Sequence, residues 1–273
     1  SGIQKEEEKG SYRLMRGVTY FKGKGFNAYA RPVEGILVTV DLRTEKVLSF
    51  RDTETVPFPK KLNEIFRKNR SPIVPNPVLS TQKEGSNIKL EGQKIKWFNW
   101  EFRWNYHSVH GLQIYDASYR DRGTKRSVLY KLSLSEMVVP YGDTDENWSF
   151  RNAFDVGEYG LGSSSHSLRK GIEVPSHARL FDIAYSDESG QPVQIPDAVG
   201  IYERSPGILW THLNQDTKFG HRDTLKSQEL VLTFLTAVGN YDYGISYIFH
   251  LDGTIEVQVL LTGILLAKGT PLV

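Results

Sequence analysis

The sequence predicts a mainly β fold, a large antiparallel β-sandwich preceded by a smaller strand-rich unit. Short runs of alternating apolar and polar residues, separated by turn residues, follow one another from about residue 93 onward. In the clearest hairpin, Asp252 and Gly253 stand between two alternating runs, and Asp-Gly is a strong signal for a tight turn. Aromatic residues make up 12% of the chain, which also favours strands. Helical periodicity is nearly absent, so we expect packed sheets.

Three regions follow one another along the chain. Residues 1–50 contain a predicted hairpin between Gly35 and Phe50, in which a polar turn separates two β-branched runs. Five prolines punctuate residues 51–92, which favours an extended connector with one short helix over Lys61–Lys68. Residues 93–273 hold the strands of the sandwich.

The strands of the third region are predicted from alternation and from the turns that bound them. Arg122 and Gly123 mark one such turn. The predicted strands are Lys96–His107, Gly111–Tyr119, Ser127–Leu134, Ala178–Tyr185, Ala198–Glu203, Ile208–His212, Leu230–Ala237, Tyr243–His250 and Thr254–Leu261.

Composition narrows the class of protein. Of 273 residues, 39% are hydrophobic and 24% charged, with a formal net charge of +2. A charge this small argues against a nucleic-acid partner or an electrostatic membrane surface. No apolar run approaches the roughly 20 residues of a membrane span, and no signal-peptide pattern is present. Cysteine is absent, which excludes disulfides, thiolate metal sites and a Cys nucleophile from this chain. We therefore expect a soluble protein and favour an intracellular location for it. The sequence does not determine the compartment.

Two segments carry candidate chemistry. In one, Tyr241 stands between Asn240 and Asp242, with strand-like sequence on both sides. An ordinary turn leading into a strand would look the same, because Asn and Asp favour turns and Tyr favours strands. In the other, Asp155 lies between two apolar residues and precedes three glycines. Such surroundings raise a carboxyl pKa and suit a general base, although a turn-capping carboxylate beside tight loops is the alternative.

The histidines do not predict a metal site. There are seven, and none forms the H-x-H pair that places two imidazoles on one face of a strand. His107 and His110 lie three residues apart without a third ligand nearby in sequence. The serine run before His166 lacks a nucleophile elbow, and the glycines near Lys24 lack the spacing of a phosphate-binding loop.

Several segments together carry a family resemblance. They are Tyr29–Gly35 (YARPVEG), Trp97–Phe102 (WFNWEF), Val139–Asp143 (VPYGD), Phe154–Gly160 (FDVGEYG), Val238–Tyr243 (VGNYDY) and Thr262–Ile264 (TGI). In this order they resemble the copper-containing primary amine oxidases, a family whose cofactor, topaquinone, is made from a tyrosine of its own chain. The resemblance runs from about residue 11 to about residue 270. It implies the end of a small α+β domain followed by an incomplete catalytic β-sandwich of the amine-oxidase type.

The resemblance implies a role for each candidate residue. Tyr241 is expected to be the topaquinone precursor, with Asn240 orienting its ring and Asp242 nearby. Asp155 is expected to be the base that removes the Cα proton of the substrate. Tyr141 is expected to hydrogen-bond the cofactor oxygen that lies far from the substrate. The implied reaction converts a primary amine and O2 to an aldehyde, ammonia and hydrogen peroxide.

The chain departs from the family pattern at three places. The family's copper ligands, an H-x-H pair and a third His, lie beyond the cofactor tyrosine, and this chain ends at Val273 before that pair should occur. We therefore expect the copper ligands on a partner chain or on a further C-terminal segment. Ala237 stands where the family usually has Thr or Ser. Ala153 stands where an aromatic gate is frequent, which implies an open channel mouth; Ala153 and Trp148 are assigned to the substrate channel.

An incomplete sandwich predicts partners. Unpaired strand edges favour association, so we expect a complementary C-terminal chain and a symmetric oligomer. One alternative is a copper-free amine-oxidase-like protein, in which Tyr241 stays unmodified and the pocket binds or performs metal-free acid–base chemistry with Asp155. A purely structural β-protein is the other alternative. The sequence does not identify the amine.

Overall fold

The computed structural model describes residues 13–24, 27–53, 56–57, 78–215 and 220–270. Within these ranges the regular structure is antiparallel β-sheet, with one short α-helix, α1 (Asp155–Tyr159), and a 3₁₀ turn at Ala28–Ala30. The predicted mainly β class is therefore confirmed. The helix predicted over Lys61–Lys68 lies outside the described residues. In the described part, no helix is long and apolar enough to cross a membrane.

The first sheet has three strands in the order β1-β2-β3. They are β1 (Leu14–Tyr20), β2 (Pro32–Asp41) and β3 (Lys46–Asp52). The hairpin predicted between Gly35 and Phe50 is the β2–β3 pair. At its turn the Asp41 carboxylate accepts the backbone N–H of Arg43 at 3.0 Å, which fixes the polar loop.

Two larger antiparallel sheets form the sandwich. The first has the order β4-β5-β6-β7-β8, with β4 (Lys89–Glu91), β5 (Lys94–Trp97), β6 (Trp100–His107), β7 (Gly111–Asp121) and β8 (Thr124–Leu132). A short ribbon, β9 (Val138–Pro140) and β10 (Asn152–Phe154), follows it. The second sheet contains β11 (Ser165–His166), β12 (Arg179–Ser186), β13 (Pro192–Arg204), β16 (Glu229–Val238), β17 (Tyr241–His250) and β18 (Ile255–Gly263). Its order is β12-β13-β16-β17-β18, with β11 paired to β16, and a separate hairpin joins β14 (Ile208–Asn214) to β15 (His221–Lys226).

Aromatic side chains hold the two large sheets face to face. Phe102 of β6 stacks on Phe249 of β17, with ring centroids 4.1 Å apart. Trp100 meets the same ring edge-on at 5.1 Å and donates its indole N–H to the carbonyl of His250 at 2.7 Å. All three rings are buried. Burial of one such ring stabilises the fold by about 1.5–3 kcal/mol relative to its exposure.

A buried carboxylate ties the chain that enters the sandwich to β13. Glu203 is 2% exposed and accepts hydrogen bonds from the side chains of Gln82, Ser86, Asn87 and Trp97 at 2.8–2.9 Å. Burial raises the pKa of Glu203, but these hydrogen bonds together hold it below its ordinary value. The carboxylate therefore stays ionised and fixes the entering segment in place.

One predicted strand is wrong in its extent. Lys96–His107 was expected to be continuous, but it is divided between β5 and β6 by a two-residue turn across which Trp97 pairs with Trp100. At this turn Phe98 has a φ of 46°. A bulky residue rarely adopts this left-handed conformation, so the aromatic pattern gave no sign of the turn.

The other predicted strands occur with ends shifted by one to three residues, except that β13 begins at Pro192, well before the predicted Ala198. The turn at Arg122 and Gly123 is confirmed, with φ angles of 47° and 86°. The turn after β17 is also confirmed, with Gly253 at a φ of 95° and Asp252 accepting the backbone N–H of Thr254 at 2.9 Å. The domain boundaries predicted at residues 50 and 92 stay predictions.

Candidate active site

A cavity of about 410 Å³ opens between β1, the β9–β10 ribbon and the start of β17. Five of the seven predicted site residues line it: Tyr141, Ala153, Asp155, Asn240 and Tyr241. Tyr141 and Tyr241 are 100 residues apart in sequence. The fold therefore gathers the two candidate segments around one space.

Tyr241 is the first residue of β17, directly after the turn from β16. Gly239 in this turn has a φ of 61°, a conformation that glycine adopts without strain. The Tyr241 hydroxyl lies 3.4 Å from the Tyr141 hydroxyl and accepts the backbone N–H of Leu266 at 3.3 Å. The ring oxygen is thus contacted by a side chain from the loop after β9 and by the backbone that follows β18.

Asn240 and Asp242 flank the tyrosine and face different surroundings. Asn240 donates its side-chain amide to the carbonyl of Ile264 at 2.5 Å, and its own carbonyl accepts the Ile264 N–H at 2.7 Å. It therefore anchors the backbone after β18. Asp242 follows Tyr241 on the strand and alternates to the opposite face, and the described residues that line the cavity do not include it.

Asp155 begins α1 and is 4% exposed. Its carboxylate accepts a hydrogen bond from the Tyr243 hydroxyl at 2.6 Å. Burial raises the pKa of Asp155, and the hydrogen bond from Tyr243 opposes that rise. The negative charges of Glu158 and Glu136 raise it further. A buried carboxyl with a raised pKa has the properties of a proton acceptor.

Glu136, not Asp155, binds the backbone at the start of α1. Its carboxylate accepts the N–H of Val156 at 3.0 Å and that of Gly157 at 3.2 Å. Asp155 is thereby left with its side chain at the cavity wall.

Tyr243 is a site residue that the sequence interpretation missed. It lies two residues after Tyr241 on β17, and the two rings stack with centroids 6.3 Å apart and an interplanar angle of 13°. Burial and the neighbouring Asp155 hold the pKa of Tyr243 well above its ordinary value, so its hydroxyl stays protonated and donates. The period of two along a strand could have revealed it, because N-Y-D-Y places both tyrosines on one face.

Trp148 and Arg151 lie against Tyr141. The Arg151 guanidinium is 5.2 Å from the centre of the Tyr141 ring and 4.2 Å from that of Trp148. Trp148 is buried and donates its indole N–H to Glu34 at 3.0 Å. The described lining of the cavity includes Arg151 but not Trp148, which supports the wall from behind. Burial and Tyr241 raise the pKa of Tyr141 well above its ordinary value.

Residues 264–269, here called the C-terminal strap, cross from β18 to the first sheet. The Lys268 ammonium pairs with the Asp143 carboxylate at 2.8 Å. Glu34 of β2 accepts a strap N–H at 2.7 Å, and Tyr20 of β1 donates to a strap carbonyl at 3.3 Å. The strap therefore joins three parts of the chain: the small sheet, the loop at Tyr141–Asp143 and the turn that precedes Tyr241.

The small sheet supplies the remaining wall of the cavity. Arg16 and Tyr20 of β1 line it, together with Tyr29 from the 3₁₀ turn. Burial raises the pKa of Tyr20 to about 12, although the positive charge of Arg151 opposes this. The cavity therefore combines apolar side chains with tyrosines, arginines and carboxylates around one space.

Comparison with known proteins agrees with this arrangement. The family model described as copper amine oxidase, enzyme domain, matches residues 89–271, and that described as copper amine oxidase, N3 domain, matches residues 2–69. A primary amine oxidase of Klebsiella aerogenes is 35% identical over 94% of this chain and 34% of its own length. A histamine oxidase of Arthrobacter globiformis is 33% identical over 95% of this chain and 38% of its own length.

A solved structure has the same fold. The copper-containing benzylamine oxidase of Hansenula polymorpha superposes with a TM-score of 0.79 at 29% identity, covering 94% of this chain and 42% of that protein. The chain thus spans between about a third and two fifths of the length of the relatives it matches. From the match of the enzyme-domain model to most of its residues, the chain belongs to the copper amine oxidase family.

Proposed function

We propose that this chain carries the redox and proton-transfer residues of a primary-amine oxidase. The reaction converts a primary amine, O2 and water to an aldehyde, ammonia and hydrogen peroxide. One observation supports it most directly: Tyr141, Asp155 and Tyr241 line a single cavity. The names of similar proteins, primary amine oxidase and histamine oxidase, support the same class of reaction.

Tyr241 is the proposed precursor of topaquinone. Once formed, this quinone supplies an electron sink that unmodified side chains lack. The Tyr141 hydroxyl and the Leu266 N–H contact the Tyr241 oxygen and orient the ring toward the cavity. Asn240 acts indirectly in this proposal, since its amide holds the strap that carries Leu266.

Asp155 is the proposed base. It takes the proton from the carbon that bears the amino group, and its burial makes the carboxylate a stronger proton acceptor than one in water. Tyr243 is the proposed positioning residue, because its hydroxyl donates to one carboxylate oxygen of Asp155 and so fixes the carboxylate.

Copper does not fit the described part of the chain. Its residues hold no group of three or more His, Cys, Asp or Glu side chains that could bind a metal. The histidines make other contacts; His177 bonds the backbone of Ser80 and Glu203, and His250 lies 3.6 Å from Glu229. The copper ligands are therefore proposed to come from a C-terminal segment or a partner chain, and no step is assigned to copper here.

An apolar surface behind the two tyrosines supports such a completing segment. A second cavity of about 660 Å³ is lined by Tyr241, Tyr243 and Leu261, among others. Leu260 and Leu261 of β18 are exposed, as is Leu265 at 82%. Contiguous exposed apolar surface is typical of an interface, so we place the completing segment or chain on this face.

The decisive experiment is the mass of the peptide that contains Tyr241. The assembled protein, with any co-purifying chain, is exposed to copper and O2 and then digested. Conversion of Tyr241 adds two oxygen atoms and removes two hydrogens, and the same peptide stains for quinone. The Tyr241→Phe variant is the control and should do neither.

The copper-free alternative remains the second candidate, on the observation that the described residues contain no metal-binding cluster. It predicts an unmodified Tyr241 peptide after the same exposure, in a protein that still binds amines in the cavity.

A further inference from the structure

The cavity contains a positively charged side chain, Arg151, to which the proposed reaction assigns no role. Arg151 lines the cavity close to Tyr141, and its guanidinium Nη1 is buried without a hydrogen-bond partner. Its near neighbours are aromatic: the guanidinium lies over the rings of Tyr141 and Trp148 and hydrogen-bonds the phenol of Tyr20. Among the described residues, no carboxylate forms an ion pair with it. Arg151 is therefore a cation at the cavity wall that the protein does not neutralise there.

A hydrogen-bond acceptor beside Arg151 Nη1 would be energetically favourable. An unpaired buried donor is destabilising, and more so when it is charged. Stacking on the two rings offsets only part of that cost. A ligand atom that accepts from Nη1 would remove the remainder, since buried polar groups in native proteins have partners.

The sequence next to Arg151 leaves space in the cavity beside it. Ala153 lies two residues further on, so it faces the same side of the chain, and it adds only a methyl group to the wall. The position therefore leaves room for a ligand beside Arg151.

The cavity is also bipolar. The carboxylates of Asp155 and Glu158 line it, and so do the guanidiniums of Arg16 and Arg151. A simple alkylammonium ion is attracted by the Asp155 carboxylate and repelled by the Arg151 guanidinium. A ligand with both an ammonium and an anionic group complements the two, and a planar guanidinium binds carboxylate or phosphate oxygens well.

We propose that the substrate is a primary amine that carries an anionic group, a carboxylate, phosphate or sulfonate, which Arg151 binds while the amino group lies near Asp155. This inference rests on the proposed amine oxidation at the same site. The cavity of about 410 Å³ is large enough for such a ligand.

Binding is tested first, without any turnover, on the assembled protein with Tyr241 still unmodified. Isothermal titration compares γ-aminobutyrate, O-phosphoethanolamine and taurine with the neutral-tailed butylamine. Wild type should bind at least one anionic amine about tenfold or more tighter than butylamine, as expected for a charge-assisted hydrogen bond. Arg151→Met should abolish this preference, and Arg151→Lys should restore part of it. Arg103→Met, an exposed arginine of β6, is the matched control and should keep the preference.

Turnover then separates this proposal from the oxidase proposal. If butylamine is oxidised but the three anionic amines are neither bound preferentially nor oxidised, the anion site is wrong and the oxidase stands. If no amine is oxidised while anion binding depends on Arg151, the anion site stands and the oxidase is wrong. If Arg151→Met weakens butylamine and the anionic amines equally, Arg151 only supports Tyr141, which overturns the proposal. An unchanged melting temperature of each variant verifies that it is folded.

Discussion

The hydrogen bond between Tyr243 and Asp155 controls when the buried carboxyl is ionised. Burial raises the pKa of Asp155, while the phenolic hydroxyl at 2.6 Å stabilises the carboxylate and opposes that rise. A base is active only in its ionised form, so the pKa of Asp155 should set the acid limb of the pH dependence of kcat/KM.

We expect Tyr243→Phe to shift that acid limb to higher pH. The substitution removes the group that lowers the pKa of Asp155, so ionisation then requires a higher pH. A hydrogen bond to a charged group contributes about 1.5–3 kcal/mol, which corresponds to a shift of about one to two pH units. The measurement is the pH profile of kcat/KM. Tyr247→Phe, on the same strand but in the core, is the control and should leave the profile in place; an unshifted profile for Tyr243→Phe would contradict the assigned hydrogen bond.

We expect Asp155→Asn to lose activity without losing stability. Loss of a general base lowers kcat by about 10²–10⁴-fold. Because the folded-state pKa of Asp155 is raised, its contribution to stability is present below the unfolded pKa and is lost as pH rises through the folded pKa. At neutral pH the buried anion is therefore unfavourable, and Asn should give an equal or higher melting temperature. A melting temperature that falls together with kcat would mean that Asp155 is mainly structural.

At the level of elements, the turn after α1 keeps the helix against the β6–β7 connection. The N–H of Leu161 donates to the carbonyl of Val109 at 2.8 Å, and that of Ser163 donates to the carbonyl of Ser108 at 2.7 Å. Gly162 lies between them, where an added Cβ would come within 2.0 Å of the His107 carbonyl oxygen. The glycine is needed for close approach of two backbones, and α1 is held in place by that approach.

We expect Gly162→Ala to destabilise the protein by about 1–3 kcal/mol or more, because the methyl group overlaps backbone that cannot move aside cheaply. The matched control is Gly17→Ala in β1, where nothing lies within 4 Å of an added Cβ. Chemical denaturation of both variants measures the free energy of unfolding. Equal stability of the two variants would show that the chain shifts freely at residue 162.

At the level of the whole molecule, the β14–β15 hairpin packs against no other strand among the residues that the structure describes. Every residue of both strands is exposed, including Ile208, Leu209, Trp210 and Leu213. An isolated two-stranded ribbon is marginally stable in water, and its exposed apolar side chains favour association. This hairpin is our proposed contact with a second copy in the symmetric oligomer.

We expect Trp210→Ser to weaken the oligomer. Trp210 is 48% exposed in the single chain, and a buried tryptophan at an interface commonly contributes at least about 2 kcal/mol, or more than tenfold in Kd. Sedimentation over a dilution series measures the dissociation. Tyr130→Ser, at an exposed aromatic residue of β8, is the control and should leave the oligomer unchanged. If Trp210→Ser dissociates no more readily than wild type, the interface lies elsewhere.

The β class, most strands and the turns at Arg122 and Asp252 could be predicted from the sequence, because alternation and turn chemistry are local properties. Its ordered motifs also identified the family. It did not reveal the turn at Phe98, since that residue adopts a backbone conformation that its type disfavours.

Which side chains share the cavity depends on the packing of distant segments. The pairing of Tyr243 with Asp155 spans 88 residues. Arg151 lines one cavity with Tyr241 and with residues of β1, which are distant from it in sequence. Such contacts depend on how sheets pack against one another, which no local pattern specifies. The reason is physical: periodicity determines which face a side chain occupies, whereas burial, pKa and partners arise when distant faces meet.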